Sequence, residues 1–275
     1  MKNVKLLLIM LFSVLSTRAY AVDPFEDFHE YGELSEEEIH ELHKGEFLYG
    51  DIEFGYIANS GNTKNSSFKL QSNFYQDFEF WRNQFKLDGY YADEENTETG
   101  IDDETASRYF FSAQTSYKFG VDNESFFLYG DYEVDKFNGR EYTSTFALGY
   151  GNRLFEGRKN TVDFTIGPGV SMYRVEDDTE LSPGQKRVER GELLRLSLQW
   201  ERNVSKRTRF NQDFSYAQSV SGLGGRGFAE TSLISQVIEG LSLKVSYTYR
   251  YNSQPEEDKR KVDTELGVTF VYSFD

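Results

Sequence analysis

From about residue 46 to its end the chain alternates apolar and polar residues in a dozen short segments. Phe68, Leu70 and Phe74 interleave with Ser67, Lys69, Gln71 and Asn73; Leu194, Leu196, Leu198 and Trp200 interleave with Arg195, Ser197, Gln199 and Glu201; Leu266, Val268, Phe270, Tyr272 and Phe274 close the chain in the same way. Successive side chains of a strand point to opposite faces, so each segment is a ribbon with one apolar and one polar face. Many such ribbons of about ten residues are the pattern of a transmembrane β-barrel. A soluble barrel would turn the apolar face inward. Twelve strands, however, enclose more space than side chains fill easily, since about eight already give a full or ligand-sized interior. Apolar outside and polar inside is the better solution. The fold class read here is all-β: an antiparallel transmembrane β-barrel of about 12 strands with a short acidic N-terminal segment.

Residues 1–21 read as a signal peptide, with Lys2 and Lys5, an apolar run from Leu6 to Leu15, and Ala19-Tyr20-Ala21 as the cleavage site. Residues 22–45 are an acidic lead expected on the periplasmic side, with Ser35 before Glu36-Glu37-Glu38 as a helix N-cap. Residues 46–275 are the barrel. The whole chain's mean hydropathy of −0.64 does not argue against the membrane, because half of every barrel strand is polar. The 19 Tyr and 24 Phe suit a lipid-facing sheet with aromatic girdles. With no cysteine, disulfides and thiolate chemistry are excluded. A formal net charge of −16, or −19 once Lys2, Lys5 and Arg18 leave with the signal, speaks against nucleic acid as a partner.

Strands are expected near 46–58, 64–77, 82–92, 105–119, 125–135, 142–154, 161–174, 190–203, 207–219, 228–238, 241–252 and 261–274. Connections after even-numbered strands are short and most of those after odd-numbered ones are longer and polar. Short turns belong on the periplasmic side and long loops outside. The short first hairpin at 59–63 departs from that rule, and Pro168 marks a bulge or kink because it cannot donate to a ladder.

On this assignment the inward face carries Lys69, Lys86, Arg108, Lys118, Arg153, Arg174, Arg195, Arg209, Lys244 and Arg250. It also carries Asp51, Glu53, Asp88, Asp131, Glu133, Asp163, Glu201, Asp213, Glu230, Asp263 and Glu265. In an open lumen such charges would set ion selectivity. Charges withdrawn from water are retained mainly when paired, so near-equal numbers equally describe a lumen closed by salt bridges. The leading expectation is a small passive channel for ions or polar solutes; the alternative is a closed barrel with a structural or surface-contact role.

Other groups give less. The acids at 93–95, 98 and 102–104 match no defined calcium loop and read as a solvated external loop. His29, His40 and His43 match no zinc motif, so no metal and no cofactor is expected. Gly222 to Gly227 formally fits G-x-G-x-x-G but lacks a βαβ unit and reads as a flexible loop. All three histidines precede the barrel, which removes a His-dependent hydrolase, and nothing singles out a carboxylate pair; no enzyme is expected.

The stretch Gly55-Tyr56-Ile57-Ala58-Asn59-Ser60-Gly61-Asn62-Thr63 resembles the Ser-Gly-Asn-Thr hairpin of the salt-induced outer membrane protein family (YdiY-like). The leader, the length and the closing Gly267-Val268-Thr269-Phe270-Val271-Tyr272-Ser273-Phe274 are similar too, so the likeness spans about residues 46–274. It implies an exported outer-membrane barrel without assigned activity, an association with salt or envelope stress, and no catalytic residue. The partners it implies are outer-membrane lipid and, during biogenesis, the barrel-assembly machinery. That machinery recognises a terminal aromatic, here Phe274 with Asp275 after it; no oligomeric state follows.

Overall fold

The structure, a computed structural model, describes residues 47–59, 65–95, 102–119, 123–136, 140–157, 159–175, 187–255 and 260–274. The leader, the lead segment with its three histidines, Ser60–Thr63 and residues 96–101 lie outside the described residues.

Twelve strands follow one another: β1 (Phe47–Asn59), β2 (Asn65–Asp77), β3 (Trp81–Glu95), β4 (Asp102–Phe119), β5 (Glu124–Asp135), β6 (Arg140–Gly157), β7 (Asn160–Val175), β8 (Val188–Ser205), β9 (Thr208–Ser219), β10 (Gly225–Ile238), β11 (Leu241–Asn252) and β12 (Val262–Phe274). Each pairs antiparallel with its neighbours, and β12 returns to β1, so the sheet is a closed barrel. Connections of two to four residues, such as Lys206-Arg207 and Glu239-Gly240, gather with Phe47 and Phe274 at one end, the turn end. The strand ends that flank 96–101, 176–187 and 253–261 gather at the other, the loop end.

The faces follow the parity of the sequence. Phe54, Leu128, Phe146, Leu148, Leu194, Val245, Leu266, Val268 and Phe270 are exposed on the outside, whereas Glu53, Lys69, Asp88, Arg108, Glu230, Lys244 and Thr269 are buried inside. Rings pair along the turn-end rim, Trp81 with Tyr117, Phe119 with Phe126, and Trp200 with Phe210. Tyr132 stacks on Tyr142 near the loop end. An apolar belt between aromatic rims, around a polar interior, is the arrangement a bilayer selects. Outward Leu196→Arg should therefore cost about 2–4 kcal/mol while inward Ser197→Arg costs much less, read as urea midpoints of folding into micelles; equal costs would overturn this assignment of faces.

Three sequence expectations are corrected. The acids at 93–95 and 102–104 are not loop: Asp93 pairs with Glu104, Glu94 with Asp103 and Glu95 with Asp102. The like-charged Asp93 and Glu104 are relieved by partners of their own, since Ser66 donates to Asp93 at 2.8 Å and Lys136 bridges Glu104 at 3.1 Å. The glycine cluster is only half a loop. Gly222 and Gly224 take left-handed φ of 92° and 77°, but Gly225-Arg226-Gly227 opens β10. Arg174 faces outward. It shares its parity with Val170 and Met172, and its Nε meets Glu141 at 2.7 Å on the outer rim.

Pro168 does mark an irregularity. The β6–β7 ladder is interrupted between Ala147↔Gly169 and Tyr150↔Ile166, where proline has no N–H to give.

Candidate functional site

The candidate site is the lumen. Period 2 fixes which side chains enter it, and the pairing register fixes which meet. One wall, from β10 through β12 and β1 to β4, carries a continuous ion-pair network. Lys244 donates to Glu53 and Glu230, each at 2.7 Å. Thr269 and Thr248 add hydrogen bonds to the same carboxylates at 2.8 and 3.3 Å. Lys69 donates to Glu265 at 2.8 Å, and Glu265 also lies 3.4 Å from Arg250 and 3.8 Å from Arg108. Arg108 in turn donates to Asp88 at 2.8 Å. Glu53 is only 1% exposed. Charges this deep persist only in such company, since each carboxylate has a cation or hydroxyl on its oxygens.

The opposite wall is built differently. Inward positions of β6 and β7 are small: Ala147, Gly149, Gly151, Gly167 and Gly169. Here the backbones approach so closely that a Cβ on Gly167 would sit 2.0 Å from the Leu148 carbonyl oxygen, and one on Gly149 would sit 2.2 Å from that of Ile166. The bare surface is covered from both sides by Arg195 of β8 and Tyr129 of β5, whose guanidinium and ring lie 3.6 Å apart. Phe127, Tyr129 and Ala147 form a small buried apolar cluster beneath. Gly167→Ala should push β6 and β7 apart and cost roughly 1–3 kcal/mol, seen as a lower urea midpoint.

Contacts also cross the lumen, at three heights. Toward the turn end Arg82 of β3 meets Asp163 of β7 at 3.6 Å, and Gln84 of β3 donates to Gln199 of β8 at 3.4 Å. At mid-height Lys86 of β3 stands 5.2 Å over the ring of Phe228 of β10, and Arg250 lies 5.7 Å from the same ring. Strands β3 and β10 are five places apart in the ring of twelve, through β2, β1, β12 and β11. Toward the loop end Arg226 of β10 donates to Thr145 of β6 at 2.8 Å and lies 3.5 Å from Glu133 of β5.

The remaining sequence-predicted residues sit in this frame. Arg153 makes a bidentate pair with Asp163, at 2.8 and 3.0 Å, and reaches Glu156 at 2.9 Å. Lys118 pairs with Asp77, which also takes Arg82 at 2.9 Å. Arg209 lies 3.7 Å from Glu201 at the turn-end mouth. Asp131 accepts from the Tyr129 hydroxyl at 3.0 Å, and Asp51 from the Asn73 amide at 2.9 Å. Asp213 faces Glu230 across the β9–β10 ladder. Sequence reasoning missed Asp77, Arg82, Phe228, Arg226 and Arg140, the last set 4.0 Å over Tyr173 near the loop end.

Among the described residues no three His, Asp or Glu side chains are grouped to hold a metal ion.

Fold and lumen together define a membrane β-barrel with a charged, internally cross-linked interior. The family described as "Protein of unknown function, DUF481" matches residues 52–274, and the chain belongs to that family. It is similar to the uncharacterized protein YdiY of Escherichia coli (strain K12), with 23% identity over 227 residues and 82% of each chain covered. That is the similarity the Ser-Gly-Asn-Thr stretch implied. Among solved structures it resembles the translocator domain of autotransporter NalP from Neisseria meningitidis (11% identity, 93% of this chain and 99% of that one, TM-score 0.45). It also resembles the outer membrane channel DcaP of Acinetobacter baumannii (9% identity, 83% and 97%, TM-score 0.38).

Proposed function

We propose that this is an outer-membrane barrel whose lumen is held shut by paired side chains, and that it serves the envelope structurally or through its loop-end surface rather than as an open pore. The observation that carries this reading is the set of crossings at three heights, Arg82–Asp163, Lys86–Phe228 and Arg226–Glu133. An unobstructed channel of twelve strands has no use for long side chains that reach four or five strands across. The charges pair with each other instead of lining a path. The outer membrane is the fitting location: the apolar belt and aromatic rims suit a bilayer, and the leader read in residues 1–21 supplies export. Phe274 supplies the terminal aromatic for the assembly machinery, its ring seated where a Cβ on Gly50 would meet it at 2.8 Å.

The test is conductance of the refolded protein in a planar bilayer, with heat-modifiable migration proving the fold. A silent bilayer supports closure; steady ohmic steps overturn it. A second reading, a gated cation pathway, is favoured by Asp51 and Asp131, which hydrogen-bond to neutral Asn73 and Tyr129. It requires cation-selective steps that appear only under applied voltage. The salt association implied by the family resemblance predicts that the protein rises in the membranes of cells shifted to high osmolarity, read by quantitative immunoblot.

A further inference from the structure

The turn-end rim is sorted by charge. Lys159 of the β6–β7 turn, Arg202 near the end of β8 and Lys206-Arg207 of the β8–β9 turn are all exposed, and none of the four makes an ion pair among the described residues. The acids nearest to them in sequence are already engaged: Arg153 holds Glu156 at 2.9 Å, and Arg209 lies 3.7 Å from Glu201. The Asn203 N–H donates to the Lys159 carbonyl at 2.9 Å, which holds the two turns side by side and makes the four cations one patch. Other turns of this end carry exposed acids instead, Glu79 between β2 and β3 and Glu239 between β10 and β11. A one-sign patch creates a local field that draws in an oppositely charged partner.

The chain supplies such a partner. Residues 22–45 hold nine acids and a single base, Lys44. They lead into β1 at Phe47, at this same end. Strands β1 and β7 are six places apart in the ring of twelve, so the patch lies across the mouth from the point where the lead joins the barrel. Twelve strands about 4.8 Å apart and tilted 35–45° close into a ring roughly 24 Å wide. Glu36-Glu37-Glu38 stand about ten residues before β1, and ten extended residues reach about 33–36 Å; all 24 as a helix would reach about 36 Å. The lead therefore spans the mouth in either conformation. A tether of this length holds its acids near the patch at an effective concentration on the order of millimolar, so that pairs individually weak in water act together.

We propose that residues 22–45 cross the turn-end mouth and dock on Lys159, Arg202, Lys206 and Arg207. Anionic phospholipid headgroups carry the matching charge too, but no link to the barrel; the tether favours the lead. Docking neither requires nor forbids a closed lumen, so the two readings fail separately.

The chain lacks cysteine, so spin labels can be placed at will. Ser35→Cys labels the lead without changing its charge, Ser205→Cys labels the basic side of the rim and Glu79→Cys the acidic side. Distances between labels are measured by double electron–electron resonance on the refolded chain in neutral, phospholipid-free micelles. The pair at 35 and 205 should give one narrow distance, shorter than that of the pair at 35 and 79. Reversing the patch with Lys159→Glu, Arg202→Glu, Lys206→Glu and Arg207→Glu should broaden and lengthen it. Raising salt from 0.1 to 1 M, where the Debye length falls from about 10 to about 3 Å, should do the same. Heat-modifiable migration checks the fold of the reversed variant; if it fails to fold, Lys206→Glu/Arg207→Glu takes its place. A broad distribution before reversal, or one that reversal leaves unchanged, overturns the proposal. Phosphatidylglycerol added to the micelles should leave the narrow distance in place; its loss would assign the patch to lipid headgroups and overturn the proposal as well.

Discussion

Replacing Phe228, Arg226 and Arg82 by alanine should turn the barrel, expected to be silent on the closed-lumen reading, into a conducting one. Each substitution removes one of the three longest crossings, and together they leave across the turn end only the 3.4 Å amide contact of Gln84 with Gln199. Without the Phe228 ring, Lys86 loses the surface it stands on from the opposite wall. Without the Arg226 guanidinium, Thr145 and Glu133 lose their link to β10. Without Arg82, Asp163 keeps only Arg153, its partner on the neighbouring strand. Single substitutions leave two heights obstructed and should conduct little; the triple variant should raise the current roughly tenfold or more over the wild type, because a continuous polar path then admits water and ions. Removing Arg226 and Arg82 also strips positive charge that faces Glu133, Asp131 and Asp163, so the opened path should prefer cations, read from the reversal potential in a salt gradient. A wild type that already conducts like the triple variant would sink the closed-lumen reading. Anion preference in the triple variant would show that Lys69, Lys86 and Lys244 rather than the acids dominate the path.

The barrel is legible in the sequence because a period of two survives every local irregularity. A one-residue slip would send Leu194, Leu196 and Leu198 into the lumen and Arg195 into lipid, so alternation fixes the faces strand by strand. What alternation cannot supply is the partner. Lys244 lies 14 residues from Glu230 and 191 from Glu53, and only closure of β12 on β1 brings the three together. Arg226 and Arg140 escape alternation for a further reason: both lie just outside the strand limits that it suggests. At Arg226 the outward positions are Gly225 and Gly227, which carry no apolar signal. Phe228 breaks the rule of apolar residues outside, yet its parity with Glu230 was visible. The outward position of Arg174 is equally visible in its parity with Val170 and Met172. A run of charges in sequence points to a solvated loop, whereas here the β3–β4 ladder continues through it at the loop end.

Lys244 should prove the most costly single side chain to remove. Its ammonium is the shared counter-ion of two carboxylates that are almost wholly withdrawn from water, Glu53 at 1% and Glu230 at 4% exposure. Lys244→Met keeps the length and apolar volume of the stem but leaves two buried negative charges facing each other, with Thr269, Thr248 and a more distant Lys69 at 3.9 Å as their remaining support. Breaking a buried pair from one side typically costs about 3–5 kcal/mol, most of it the uncompensated charge left behind. The surface pair Lys136–Glu104, more than half exposed at the lysine, gives the contrast: Lys136→Ala should change stability by less than about 1 kcal/mol. Both are measured as urea midpoints in micelles at neutral pH. The decisive comparison is Lys244→Met combined with Glu53→Gln and Glu230→Gln, which removes the charges on both sides. If burial of unpaired charge is the cause, the triple variant recovers most of the loss and stands well above the single one. If instead the lysine stem holds the seam by packing, the added glutamines change little and the triple variant unfolds where Lys244→Met does.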